Sequence, residues 1–116
     1  MISFIIIGRN EGSKLTKCIR SVYETIHLNK LNNYEIIYVD SNSEDDSVEI
    51  VKEFYEVKIF KIFSQYNSAV ARNIGFNESK GDNLFFIDGD MEIMSSFLTS
   101  VLDKNHELKY NFVSGI

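Results

Sequence analysis

Short apolar runs alternate along this chain with stretches whose apolar residues recur at helical spacing, and that alternation limits the fold more than any other feature. Residues 2–7 form one run, broken only by Ser3. Leu15, Cys18, Ile19, Val22, Tyr23 and Ile26 then fall on one helical stripe. A second run covers residues 34–39, followed by Val48, Val51 and Tyr55 on a second helix, with Ser43 and Asp46 placed to cap its start. A third run, 57–63, leads into a helix capped by Asn67 or Ser68 and stopped near Gly81. Residues 83–87 make the fourth run, Ser95 to Leu102 predicts another helix, and 110–113 starts a further strand. Strands this uniformly apolar are buried on both faces, so the chain is read as an α/β fold, a mostly parallel sheet flanked by helices. Right-handed crossovers leave few ways to wind it.

In such sheets ligands bind beyond the carboxyl ends of the strands, near a reversal of strand order. The polar residues that make poor core fall at those ends. Gly8-Arg9-Asn10-Glu11 follows the first run, Asp40-Ser41-Asn42-Ser43 the second and Asp88-Gly89-Asp90 the fourth. Asp88 and Asp90 stand one residue apart after an apolar strand, where two like charges repel unless a cation or proton lies between them. Hard oxygen ligands suit Mn2+, Mg2+ or Ca2+, and such an ion would bridge a diphosphate. The ordinary alternatives are a tight Asp-Gly turn for Asp88 and a turn or helix-start carboxylate for Asp40. For Glu11 the alternative is a favourable acid at a helix N-terminus, and for Arg72 a surface ion pair.

Charge and length narrow the partners. The 116 residues suit one domain. A net charge of −5, from 17 acidic against 12 basic side chains, argues against a nucleic-acid surface. It is compatible with a nucleotide whose phosphates a divalent ion neutralises. Cys18 is the single cysteine, so no internal disulfide forms. No apolar stretch is long enough to span a bilayer and residues 1–5 lack a basic leader, so the expected location is the cytoplasm.

Four segments in order then resemble a known family. Ile5-Ile6-Ile7-Gly8-Arg9-Asn10-Glu11, Val39-Asp40-Ser41-Asn42-Ser43-Glu44-Asp45, Ala71-Arg72-Asn73-Ile74-Gly75 and Phe86-Ile87-Asp88-Gly89-Asp90 resemble family-2 glycosyltransferases of the GT-A fold, over nearly the whole chain. Two departures lie near the expected base pocket: the family often has proline-threonine at Gly8-Arg9 and a second aspartate at Ser41. The resemblance implies a Rossmann-like nucleotide-sugar-binding half covering 1–116, ending before the acceptor half. It implies metal-dependent, inverting transfer of a sugar from a nucleoside diphosphate, UDP foremost, to an acceptor hydroxyl. Asp40 would read the base, meeting the uracil imide. Gly8, Arg9, Asn10, Glu11, Ser41 and Arg72 would line the nucleotide site. Asp88 would serve ribose or metal, and Asp90 would be the direct ligand to Mn2+ or Mg2+.

The same resemblance puts the general base beyond Ile116 and makes the acceptor a saccharide or lipid-linked molecule, with the full-length protein at the inner membrane face. Uncovered Phe112, Val113 and Ile116 lead to the expectation of a homodimer. Gly75 is expected to allow close helix–sheet packing. Cys18, Phe60, Phe63, Phe85 and Phe86 are read as core, and Lys52, Glu53, Glu56, Lys58 and Lys61 as solvated faces. Two other readings stay open. One is a nucleotide-binding module or inactive relative that holds donor without transferring sugar. The other is a different doubly wound α/β domain, although the first loop lacks G-x-G-x-x-G.

Overall fold

A computed structural model describes residues 1–63 and 67–94 together with Ser96 and Leu98. The chain runs β1 (Ile2–Gly8), α1 (Lys14–Leu28), β2 (Tyr34–Asp40), α2 (Ser47–Lys52), β3 (Val57–Lys61), α3 (Ser68–Glu78) and β4 (Asn83–Asp88). The strands form one sheet in the order β3-β2-β1-β4, and every pairing is parallel. This is the α/β class expected from the alternation of periods.

Because side chains alternate across a strand, β1 feeds two cores. Ile2, Phe4 and Ile6 pack with Leu15, Cys18, Ile19 and Val22 of α1 and Val51 of α2. Ile5 and Ile7 pack on the other face with Ile37, Val39 and Ala71 of α3. The chain first steps outward from β1 to β2 to β3, then crosses back through α3 to place β4 on the far side of β1. Strand order therefore reverses between β1 and β4, and a crevice opens at the carboxyl edge there.

Gly75 makes the return crossing possible, as expected. A methyl group at this position would collide with Ile5 Cγ2, so only glycine lets α3 lie this close to the sheet. Gly75→Ala should cost about 2 kcal/mol by overpacking. Urea unfolding measures this, and an unchanged midpoint would show that α3 sits more loosely.

The amino edge of the sheet holds a buried polar network that sequence reading missed. Glu35 lies opposite Ser3 in register and is 6% exposed. It accepts hydrogen bonds from Ser3 Oγ at 2.6 Å, Lys58 Nζ at 3.0 Å and the Lys80 N–H. Ser3 Oγ in turn accepts from Gly81 N–H at 2.9 Å. The network ties the α3–β4 connection to β1 and β2. Lys58 is exposed, as expected of a solvated face, and also pairs with Glu35.

Several expectations need correction. Helix α2 ends at Lys52, and Tyr55 lies beyond it, 92% exposed. Ser43 does not cap α2. Asp46 is the cap residue and makes no side-chain capping bond, while Asp45 Oδ1 accepts from Ser47 N–H and Oγ. Gly81 is no left-handed helix stop: α3 is capped by Ser79 in extended conformation, and a Cβ on Gly81 would lie 2.7 Å from Met1 O. Its smallness serves close approach to β1. Asn67 is the α3 cap, accepting from Val70 N–H at 2.9 Å. Phe63, beyond the end of β3 at Lys61, is 73% exposed, and Phe86, on the strand that ends the sheet among the described residues, is 40% exposed. Phe85 does pack, stacked on Phe4 at 5.8 Å. Ser96 and Leu98 are helical, in line with the expected helix over 95–102, and Leu98 is buried. The strand expected at 110–113 and the apolar terminus lie outside the described residues. Among the described residues no helix is long and apolar enough to cross a membrane.

Candidate functional site

Parallel register brings the strand ends side by side. Gly8 pairs with Asp40, and Ile7 with Asp88. Beyond the strands, Ser41 N–H donates to Gly8 O at 2.9 Å and Gly89 N–H to Ile7 O at 2.7 Å. The loops after β1, β2 and β4 thus begin from neighbouring points and enclose a cleft of about 380 Å³. That volume lies within the range of small-molecule sites. Gly8, Arg9, Glu11, Ser41, Asp88 and Asp90 line it, together with Asn67, Ser68 and Ala71 at the start of α3. These last three were assigned no ligand role from sequence. The signal was available: in a parallel sheet the helix leading into the next strand starts at the carboxyl edge, so its cap residues face the site.

Asp40, Asn10 and Arg72 are not among the cleft-lining residues. Asp40 is fully buried, and its carboxylate is engaged from within. Oδ1 accepts from Tyr38 Oη and from Ser43 Oγ, both at 2.6 Å, and Oδ2 accepts from Ser43 N–H at 2.8 Å. Burial and then the bond to Asp40 push the Tyr38 hydroxyl strongly upward, so it remains a donor. Asn10 ties two loops together: its N–H donates to Ser43 Oγ at 2.9 Å, and its Oδ1 accepts from Glu44 N–H at 2.7 Å. Both Asn10 and Asn42 have left-handed backbones, φ +55° and +57°, which asparagine tolerates better than most residues. Arg9 adds an ion pair to Glu44 at 3.6 Å across the same two loops.

The cleft is electronegative on its β4 side. Burial raises the Glu11 carboxyl above its ordinary value, and Asp90 and Asp88 push it in the same direction. Cys18, beneath the β4 turn, has its thiol pushed up to about 12 by burial first and then by Asp90, Glu92, Asp88 and Glu11. It is therefore an inert core thiol. Arg72 answers part of this charge from α3, 3.7 Å from Asp88 Oδ1 with both side chains about half exposed (47% and 49%). An ion pair so exposed contributes little stability and leaves the guanidinium available to a ligand.

These carboxylates fit a hard divalent cation in donor chemistry, since they supply oxygens in a field that penalises further negative charge. Among the described residues no three such side chains converge into a complete cage. A cation here would take one or two protein carboxylates and complete its shell with water and phosphate oxygens, as Mg2+ commonly does.

Comparison with known proteins agrees in sequence and shape. The model of the family described as Glycosyl transferase family 2 matches residues 3–116. Glycosyltransferase AglE of Haloferax volcanii is 36% identical over 93 residues, which is 77% of this chain and 30% of AglE. The poly(ribitol-phosphate) beta-N-acetylglucosaminyltransferase TarP of Staphylococcus aureus is 32% identical over 93 residues, 77% of this chain and 28% of TarP. The chain thus spans under a third of the length of these curated relatives. Among solved structures, S. aureus TarS 1–349 in complex with UDP-GlcNAc superposes with a TM-score of 0.67 at 23% identity, covering 85% of this chain and 29% of that one. A mannosyltransferase from Pyrobaculum calidifontis in complex with GDP-Man and Mn2+ gives 0.70 at 19% identity, covering 79% and 28%. At these identities the structural likeness establishes the fold.

Proposed function

This chain belongs to glycosyl transferase family 2, and from that premise we propose that it is the donor-binding part of an enzyme moving a sugar from a nucleoside diphosphate to an acceptor hydroxyl. The observation that carries this reading is the meeting of three strand-end loops and the start of α3 around one acidic cleft at the strand-order reversal. TarS binds UDP-GlcNAc and the Pyrobaculum enzyme binds GDP-Man with Mn2+, which supports a nucleotide-sugar donor and a divalent metal here. The resemblance favours uridine as the base and inversion at the anomeric carbon. The acceptor would be a saccharide or a lipid-linked molecule.

Roles divide along the cleft. Gly8, Arg9 and Ser41 face the nucleoside. Ser68, in the first turn of α3, lines the cleft and would meet the phosphates, and Arg72, outside the cleft lining but beside Asp88, would reach them by leaving that ion pair, because a helix N-terminus and a guanidinium both favour anions. Asp90, with Asp88, would hold Mn2+ or Mg2+, which when bound offsets the negative charge that builds on the departing diphosphate. Glu11 crowds the same pole and sets its charge density. Asn10 holds the loops after β1 and β2 in register. Asp40 would read the base. It is fully buried and held by Tyr38 and Ser43, so contact with a base would require the loop after β2 to rearrange.

A thermal-shift panel tests this reading. UDP, GDP, UDP-GlcNAc and GDP-Man would each be added with and without Mn2+ or Mg2+. The expected result is stabilisation by uridine nucleotides only with metal, about 2.7 kcal/mol at a hundred times the dissociation constant. The absence of any shift for every nucleotide with either metal would sink the reading.

A further inference from the structure

The loop after β1 is pinned at two places, and the two pins are built alike. Asn10 N–H donates to Ser43 Oγ at 2.9 Å, and Gly12 N–H donates to Ser47 Oγ at 3.0 Å. Each serine passes its own hydroxyl proton to a carboxylate: Ser43 Oγ donates to Asp40 Oδ1, and Ser47 Oγ to Asp45 Oδ1. Each of those carboxylates also accepts the backbone N–H of the same serine. A hydroxyl donates and accepts at once, so it can take a loop N–H and hand the bond on to a charge. Bonds that end on a charge are the stronger kind. Asp40 closes β2 and Ser47 opens α2, so the loop is tied to the sheet at one pin and to a helix at the other.

The pinned residues, Asn10 and Gly12, flank Glu11. Both have φ +55°, a left-handed conformation that asparagine keeps only where its surroundings hold it. Glu11 lines the cleft, and so does Arg9 on the other side of Asn10. The Glu11 side chain lies across the two glycines of the cleft floor, with Cγ 3.1 Å from where a Cβ on Gly8 would stand and 3.2 Å from one on Gly89. Ser43 and Ser47 themselves are not among the cleft-lining residues. They act on the cleft through the backbone they hold. We infer that Ser43 and Ser47 are positioning residues: the two serine–aspartate pairs fix the loop after β1 in its cleft-lining shape before a ligand arrives. The inference rests on the reading of the cleft as a nucleotide-sugar site, and it adds the residues that preform it.

Calorimetry with Mn2+ and whichever of UDP and GDP wild type binds tests this. The proteins are wild type, Ser43→Ala, Ser47→Ala and Ser43→Thr, with circular dichroism to confirm the fold. In the alanine variants binding must order the loop, so each should weaken the nucleotide about tenfold, roughly the cost of fixing the backbone of one residue. Ser43→Thr keeps the hydroxyl and should bind as wild type does. Affinity for Mn2+ alone should hold in all four, since Asp88 and Asp90 lie on the β4 turn and outside the pins. Wild-type nucleotide affinity in both folded alanine variants overturns the inference and leaves the cleft reading standing. So does a loss in Ser43→Thr equal to that in Ser43→Ala, or an equal fall in Mn2+ affinity. Failure of wild type to bind either nucleotide overturns the cleft reading, and the inference with it. Hydrogen exchange on wild type needs no variant. The Asn10 and Gly12 amides should be protected in the free protein, and amides left unprotected until nucleotide is added would overturn the inference.

Discussion

Asp90→Ala should abolish the metal-dependent gain in nucleotide binding and leave the fold standing. Asp90 is exposed at the cleft, in the turn that Met91 N–H closes on Asp88 O at 2.9 Å, a backbone contact the substitution keeps. Its removal should therefore change stability by no more than about 0.5 kcal/mol, as for most surface positions. The ligand effect is far larger. A cation taking one or two protein carboxylates here cannot lose Asp90 and keep its hold. The 2.7 kcal/mol or so of apparent stabilisation expected from saturating UDP and Mn2+ should vanish. Glu11 offers a second readout, since Asp90 is among the charges that raise its carboxyl, and that rise should shrink in the variant. Titration calorimetry with UDP and Mn2+ decides the matter: affinity equal to wild type would mean that Asp90 is not a ligand.

Glu35→Ala should destabilise the domain by about 3 kcal/mol, the low end for breaking a buried pair, since Lys58 is 48% exposed and can be rehydrated. The loss comes from three bonds at once, to Ser3, Lys58 and Lys80, that join β1, β2, β3 and the α3–β4 connection. Glu35 also gives a pH signature. Burial acts to raise its carboxyl, but the bonds from Ser3, Lys80 and Lys58 outweigh it and hold the group below 4.5. As pH falls the unfolded chain therefore binds this proton first. The stability contributed by Glu35 is complete above about pH 4.5 and is lost as pH falls through the lower folded-state value. Wild type should lose more stability than Glu35→Ala on going from pH 6 to pH 3. Urea midpoints across that range measure both effects, and parallel curves for the two proteins would rule out Glu35 as the source.

The contrast between these carboxylates explains what could be read in advance. Asp88 and Asp90 follow an apolar run directly, so their place at a strand end is evident from order alone. Glu35 sits inside a run, Tyr34–Asp40, and local pattern offers no reason for a charge there. Its reason is Ser3, 32 positions earlier, and Lys80, 45 positions later. Phe63 and Phe86 failed as core residues on similar grounds. Apolarity is a property of the residue, whereas burial depends on where β3 ends and on what packs against each face of the sheet.

Asp40 shows the same division at the site. Its position at the end of β2 follows from the sequence, and so does the convergence of the loop after it with those after β1 and β4. Its full burial and its bonds to Tyr38 and Ser43 do not. The alternation of period-two and helical apolar patterns determined the α/β class and the identity of the strand-end residues, because side-chain direction in strands and helices is a local consequence of backbone geometry. Tertiary structure alone decided which of those residues line the cleft and which are braces beneath it. Those outcomes depend on strand order and register, which set distances between residues far apart in the chain and leave no trace in the spacing of any one segment.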